Sequence, residues 1–259
     1  MFKLRIHLPF LFLLFATGTA MAQQAEKPDT NFHLYLLVGQ SNMAGRAPMD
    51  DTSKQTNPQI LMLDKNNRWV PASDPVHFDK PAVAGVGPAI SFAKAMTVGR
   101  PDIKIGLIPC AVGGSPIRVW EPDSVYLVNL HPYDDAVARA RVAMQQGVLK
   151  GILWHQGESD NYPQGAALYT GKFKILVTRF RTDLQLPRLP VVAGEIGYFN
   201  KTNAINKVID ELPAFVKYMA VVSAEGLTDK GDQTHFDTPS ARELGRRYAL
   251  AMQKLAERF

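Results

Sequence analysis

Ser41 lies in the run Gly39-Gln40-Ser41-Asn42-Met43-Ala44-Gly45, directly after the apolar stretch Phe32 to Val38. A serine hydroxyl becomes a nucleophile only when a base takes its proton. A position just past a buried strand fixes the backbone, aims the side chain at a cleft and lets a neighbouring amide N–H face a substrate carbonyl. The run is not the G-x-S-x-G nucleophile elbow, because Met43 stands where the second glycine belongs. Alone, it reads equally well as a polar turn. Near the other end of the chain, Asp232 and His235 are three residues apart. In a turn, that spacing puts both side chains on one side. Asp232 can then accept from His235 Nδ1–H and leave Nε2 free for the Ser41 proton, which is the division of labour in a Ser-His-Asp triad.

A tetrahedral intermediate also needs donors for its oxyanion. Gly113-Gly114 offers backbone N–H groups that no Cβ shields, and Gln156 offers a side-chain amide. A tight turn and a structural hydrogen bond are the plainer readings of the same residues.

Groups so far apart in sequence need a scaffold to meet. Apolar runs at Phe32 to Val38, Ile103 to Ile108, Gly151 to Trp154, Pro190 to Ala193 and Tyr218 to Ser223 read as strands. Helical spacing marks Gly87 to Val98, Pro132 to Gln146, Ala166 to Leu184, Asn203 to Leu212, and Thr238 to about Glu257 with Thr238 as its cap. Alternation of this kind implies an α/β fold with a parallel sheet covered on both faces. Ligands bind such sheets at the carboxyl ends of the strands. The Gly39, Gly113, His155 and Asp232 clusters each follow an expected strand, which points to one shared site. The Pro-rich zone from Asp50 to Pro81 reads as a surface excursion, whose His77, Asp79 and Lys80 can rim a cleft.

Residues 1–22 read as an export signal. Lys3 and Arg5 precede an apolar run from Leu8 to Ala16, and Ala20-Met21-Ala22 is a cleavage site. The run is shorter than the roughly 20 residues of a membrane span. Residues 23–259 then form one domain, periplasmic or secreted, with no membrane insertion after cleavage. Lys3 and Arg5 supply two of the formal +5 charges, and the remaining cations are scattered, which argues against nucleic-acid binding. Cys110, the one cysteine, ends an apolar run and reads as an inert thiol. His33 and His131 have no metal-ligand arrangement around them, so no metal or other cofactor is expected.

Four pieces together resemble the SGNH/GDSL-type hydrolases, in the sialate O-acetylesterase and acetylxylan esterase branch (carbohydrate esterase family 6). They are Gly-Gln-Ser-Asn-Met-Ala-Gly at 39–45, Gly-Gly-Ser-Pro-Ile-Arg-Val-Trp at 113–120, Trp-His-Gln-Gly-Glu-Ser-Asp at 154–160 and Asp-Gln-Thr-His-Phe at 232–236. Gly85-Val86-Gly87-Pro88 and Ser91-Phe92-Ala93 add to the likeness. The resemblance implies a three-layer α/β/α sandwich, flavodoxin-like, and metal-free removal of acetyl groups from carbohydrates. It implies Ser41 as nucleophile, His235 as base and Asp232 as its acid, with the Ser41 N–H, the Gly114 N–H and Gln156 as the oxyanion hole. It also raises Glu158 as a second acid that replaces or joins Asp232; local spacing favours Asp232. Gln40, Asn42, Trp120, Arg118 and His155 are candidates for substrate contact, Trp120 as a sugar floor and Arg118 as a fork for an acidic sugar. A lipid or thioester hydrolase of the same fold, or a carbohydrate-binding protein without catalysis, are the alternatives.

Overall fold

The strand Asp29–Gly39, β1, is buried at every one of its last six residues, from Leu34 onward. Leu34, Leu36 and Val38 enter one core, and Tyr35 and Leu37 the other. Alternate side chains thus feed two apolar layers, as a central parallel strand requires. The computed structural model describes residues 1–2, 27–200, 202 and 204–258. The export signal expected at 1–22 lies outside them, except for its first two residues. No helix of the described residues is long and apolar enough to cross a membrane.

Six further strands join β1: β2 (Ile60–Leu63), β3 (Trp69–Pro71), β4 (Lys104–Pro109), β5 (Gly147–His155), β6 (Val191–Gly194) and β7 (Met219–Val222). Their order is β3-β2-β4-β1-β5-β6-β7, all neighbours parallel except β2 with β3. The helices are α1 (Ser41–Ala44), α2 (Ala89–Thr97), α3 (Pro132–Ala143), α4 (Pro163–Asp183), α5 (Ala204–Glu211) and α6 (Thr238–Ala256). Tyr133 of α3, Phe173 and Phe180 of α4 and Ile209 of α5 pack on one face of the sheet. Phe92 of α2 and Leu244, Tyr248 and Met252 of α6 pack on the other. This is the expected three-layer α/β/α sandwich.

Two expectations need correction. The Asp50 to Pro81 zone is more than a surface excursion, because its apolar pieces become β2 and β3 and extend the sheet. The cap of α6 is Asp237, whose carboxylate accepts from Ser240 N–H at 2.8 Å. Thr238 instead donates its hydroxyl to the Pro48 carbonyl.

Candidate active site

β1 ends in Gly39 because nothing larger fits: its φ is +125°, and a Cβ would stand 2.1 Å from the His155 carbonyl oxygen. Gln40 N–H donates to that same carbonyl at 2.8 Å, and the chain turns at once into the short helix α1. Ser41 is the first residue of this turn, buried but not sealed. The loop before α6 comes over it from the far end of the chain. His235 Nε2 lies 3.1 Å from Ser41 Oγ, and His235 Nδ1 lies 2.7 Å from Asp232 Oδ2. Asp232 Oδ1 accepts from Thr234 N–H at 3.0 Å and from His235 N–H at 2.8 Å. Partial burial pulls the Asp232 carboxyl upward, but the His235 ring and these two N–H donors outweigh it and hold the group down at about 2. Asp232 is therefore ionised at neutral pH. Lys230 Nζ stands 3.5 Å from its Oδ2.

The two candidate acids differ in what they touch. Glu158 touches Asn42, whose Nδ2 donates to Oε1 at 2.6 Å, and Oε1 lies 3.8 Å from His155 Nε2. The His235 ring nitrogens are occupied by Asp232 and Ser41. Burial pushes the Glu158 carboxyl upward and the His155 ring down to about 3, so His155 is neutral.

Among the described residues, no acceptor takes the N–H of Ser41 or of Gly114. Gly114 has φ +81° and sits in the turn after β4. That turn is anchored by a residue the sequence reading left on the rim. Asp79 is buried beneath it, where its Oδ2 accepts from Gly113 N–H at 2.7 Å and pairs with Arg46 at 2.5 Å. A Cβ on Gly113 would stand 2.6 Å from the Arg46 guanidinium. Asp79 carries no local signal of this role, since its partners are 33 and 34 residues away.

Several expected contacts turn out to be internal. Gln156 is fully buried, and its Nε2 faces Asp160 Oδ2 at 2.6 Å and the Gln40 and Ser115 oxygens at 3.3 Å. Both amide hydrogens are committed there, so Gln156 is no free oxyanion donor. Gln40 is equally occupied, its oxygen also accepting from Ser159 N–H. Trp120 is 1% exposed, edge-on to Trp154 with its N–H on Ser115 Oγ, and cannot floor a sugar. His155 is sealed between Tyr248 and Phe236 and reaches no substrate. The Asn42 amide bonds to Glu158, Thr234 and Phe236 and is likewise unavailable. Arg118 is exposed and has no ion-pair partner among the described residues. His77 is buried rather than on a rim. Burial pushes the Cys110 thiol up to about 11, which keeps it protonated. Asp160, unassigned from sequence, joins Gln156 to the Ile117 N–H and so ties two motif loops together.

A cleft of about 420 Å³ opens beside the carboxylate end of this array, lined by polar residues that include Asn161, Asn200, Asp232, Gln233 and Thr234. A larger hollow of about 680 Å³, lined by His33, Lys150 and Leu189, lies at the amino ends of the strands and contains none of these groups.

A family profile described as carbohydrate esterase, sialic acid-specific acetylesterase matches residues 31–254. A probable carbohydrate esterase of Arabidopsis thaliana is 32% identical over 252 residues, covering 88% of this chain and 93% of the relative. A crystal structure of an Arabidopsis thaliana protein superimposes with a TM-score of 0.77 at 32% identity, over 87% of this chain and 99% of the other. NanS superimposes with a TM-score of 0.71 at 19% identity, over 90% of this chain and 100% of that one. A carbohydrate acetylesterase from Xanthomonas citri gives 0.67 at 19% identity, over 88% and 57%. The last two likenesses are of fold.

Proposed function

The chain belongs to the sialic acid-specific acetylesterase family of carbohydrate esterases, and from that premise we propose that it is an exported serine esterase that removes O-acetyl groups from glycans. The observation that carries the mechanism is the unbroken line from Ser41 Oγ to His235 Nε2 at 3.1 Å and from His235 Nδ1 to Asp232 Oδ2 at 2.7 Å. His235 takes the Ser41 proton as Oγ attacks the acetyl carbonyl carbon. The oxyanion is received by the Ser41 and Gly114 N–H groups, which the fold leaves uncommitted. His235 then protonates the leaving sugar oxygen, the ester C–O bond breaks, and acetyl-Ser41 remains. Water, deprotonated by His235, attacks the acetyl group and releases acetate. Asp232 holds the imidazole in the required tautomer and stabilises the imidazolium.

The polar lining of the cleft beside Asp232 favours a hydroxylated leaving group over an acyl chain, and so a glycan over a lipid. Glycans of the acetylxylan or O-acetylated sialic acid type supply that chemistry. The signal pattern at 1–22 supports export, with 23–259 as one catalytic domain. Ser41→Ala should release no acetate from 4-nitrophenyl acetate or from a panel of acetylated glycans, while still unfolding cooperatively. Acetate release at the wild-type rate by that variant would end the proposal.

A further inference from the structure

Asn42 follows the nucleophile in α1, and its side chain reaches both neighbours of the base. Nδ2 donates to the Thr234 carbonyl at 3.0 Å, and Oδ1 accepts from Phe236 N–H at 3.2 Å. These two contacts fix which end of the amide is which, because a flipped amide would set N–H against N–H and oxygen against oxygen. The second Nδ2 hydrogen is thereby aimed at Glu158 Oε1, 2.6 Å away. One four-residue turn thus presents Ser41 and grips the backbone on each side of His235.

Glu158 is the backstop of that grip, and its surroundings define its charge state. Its side chain is 7% exposed and lies in no ion pair with Lys or Arg among the described residues, and the Asn42 amide with the Glu158 and Gly157 N–H groups only partly offsets its burial. Its neighbour His155 is also fully buried. Tyr248 Oη donates its only hydrogen to the Trp154 carbonyl at 2.7 Å. The 3.1 Å contact between Tyr248 Oη and His155 Nδ1 must therefore use the hydrogen of Nδ1. In neutral His155 this leaves a lone pair on Nε2, facing Glu158 Oε1 across 3.8 Å. An ionised Glu158 would set a carboxylate against that lone pair with no cation to offset the burial. A proton on Glu158 removes the conflict and leaves both buried groups neutral.

We propose that Glu158 is a positioning residue rather than a relay acid: its carboxyl orients Asn42, and Asn42 sets His235 against Ser41. This rests on the esterase reading above, which Ser41→Ala tests separately. If that variant keeps its turnover, the esterase reading falls whatever Glu158 does.

The test is a double-mutant cycle on 4-nitrophenyl acetate, with kcat, KM, pH profile and thermal unfolding recorded for each variant. Glu158→Gln can still accept from Asn42 with its carbonyl oxygen at the Oε1 position, so kcat should fall by no more than about threefold. Asn42→Ala and Glu158→Leu remove the grip, and a misplaced base costs up to about 100-fold in kcat. KM should stay within about twofold, and the midpoint of the pH profile should not move. The double variant should be no slower than Asn42→Ala alone, since Glu158 acts only through Asn42. A fall in Glu158→Gln comparable with that of Asp232→Asn would overturn the proposal and make Glu158 a relay acid. Multiplying losses in the double variant, or an unchanged kcat in Asn42→Ala, would overturn it too. Should Glu158→Leu fail to fold, Glu158→Gln and Asn42→Ala decide by the same criteria.

Discussion

Replacing Asp232 with Asn tests the proposed triad at a point where the structure permits only one outcome. Asp232 Oδ1 holds two backbone N–H groups, of Thr234 and His235, while Oδ2 faces His235 Nδ1. An asparagine keeps the first arrangement by leaving its carbonyl oxygen at the Oδ1 position. Its NH₂ group then occupies the Oδ2 position and donates to Nδ1, which drives the imidazole hydrogen onto Nε2. A protonated Nε2 cannot accept from Ser41 Oγ. The working tautomer returns only if the amide flips, which gives up both backbone hydrogen bonds, each worth about 1 to 1.5 kcal/mol. That alone leaves roughly one molecule in a hundred competent. Loss of the carboxylate beside the developing imidazolium accounts for the remainder of a fall of about 10⁴ in kcat, the size seen when a triad aspartate becomes asparagine. In free energy of activation this is about 5.5 kcal/mol. The side chain is 37% exposed and its backbone bonds survive, so the unfolding temperature should barely change. The assay is stopped-flow and steady-state hydrolysis of 4-nitrophenyl acetate at pH 7 to 8, with thermal unfolding as the control. A loss below tenfold in a fully folded variant would refute the tautomer argument.

Other consequences follow from burial. Asp79→Ala strands the Arg46 guanidinium beneath the Gly113 turn and should cost about 3 to 5 kcal/mol, lowering the unfolding temperature by about 10 °C; kcat should also fall as the turn loosens, and a variant with wild-type melting would contradict the buried pair. Asp74 is almost fully buried, and desolvation pushes its carboxyl up to about 7. Its folded pKa lies above its unfolded one, so its contribution to stability is complete below about pH 4 and is lost as pH rises toward 7, by about 4 kcal/mol; Asp74→Asn should flatten that part of the stability profile in chemical denaturation, and an unaltered slope would disprove the assignment. Trp120→Phe should destabilise by about 1 to 2 kcal/mol through loss of the Ser115 hydrogen bond and of packing, with KM for an acetylated sugar unchanged within twofold; a tenfold rise in KM would restore Trp120 to the substrate site.

The sequence by itself determined the five parallel strands from β1 and β4 to β7, their helical layers and the polar clusters at the strand ends, because apolar periodicity and strand–helix alternation are local patterns; β2 and β3, short pieces in a Pro-rich zone, were not legible in it. It also determined the Asp232–His235 pair, because three residues in a turn bring the two side chains together without help from the rest of the chain. Tertiary structure decided which polar groups are free to act. Gln156, Gln40, Asn42 and His155 sit in the right motifs, yet each is committed to partners brought in from other segments, Asn42 to residues more than a hundred positions away. Asp79 shows the converse, for it reads as a rim residue until the fold slides it beneath Gly113. A buried donor or acceptor has a fixed number of hydrogen bonds to give, and where they go depends on packing between distant segments. Residue type and spacing could therefore point to Ser41 and His235, with Asp232 or Glu158 as the acid. Only the assembled sheet left the Ser41 and Gly114 N–H groups uncommitted and turned Glu158 toward Asn42 rather than His235.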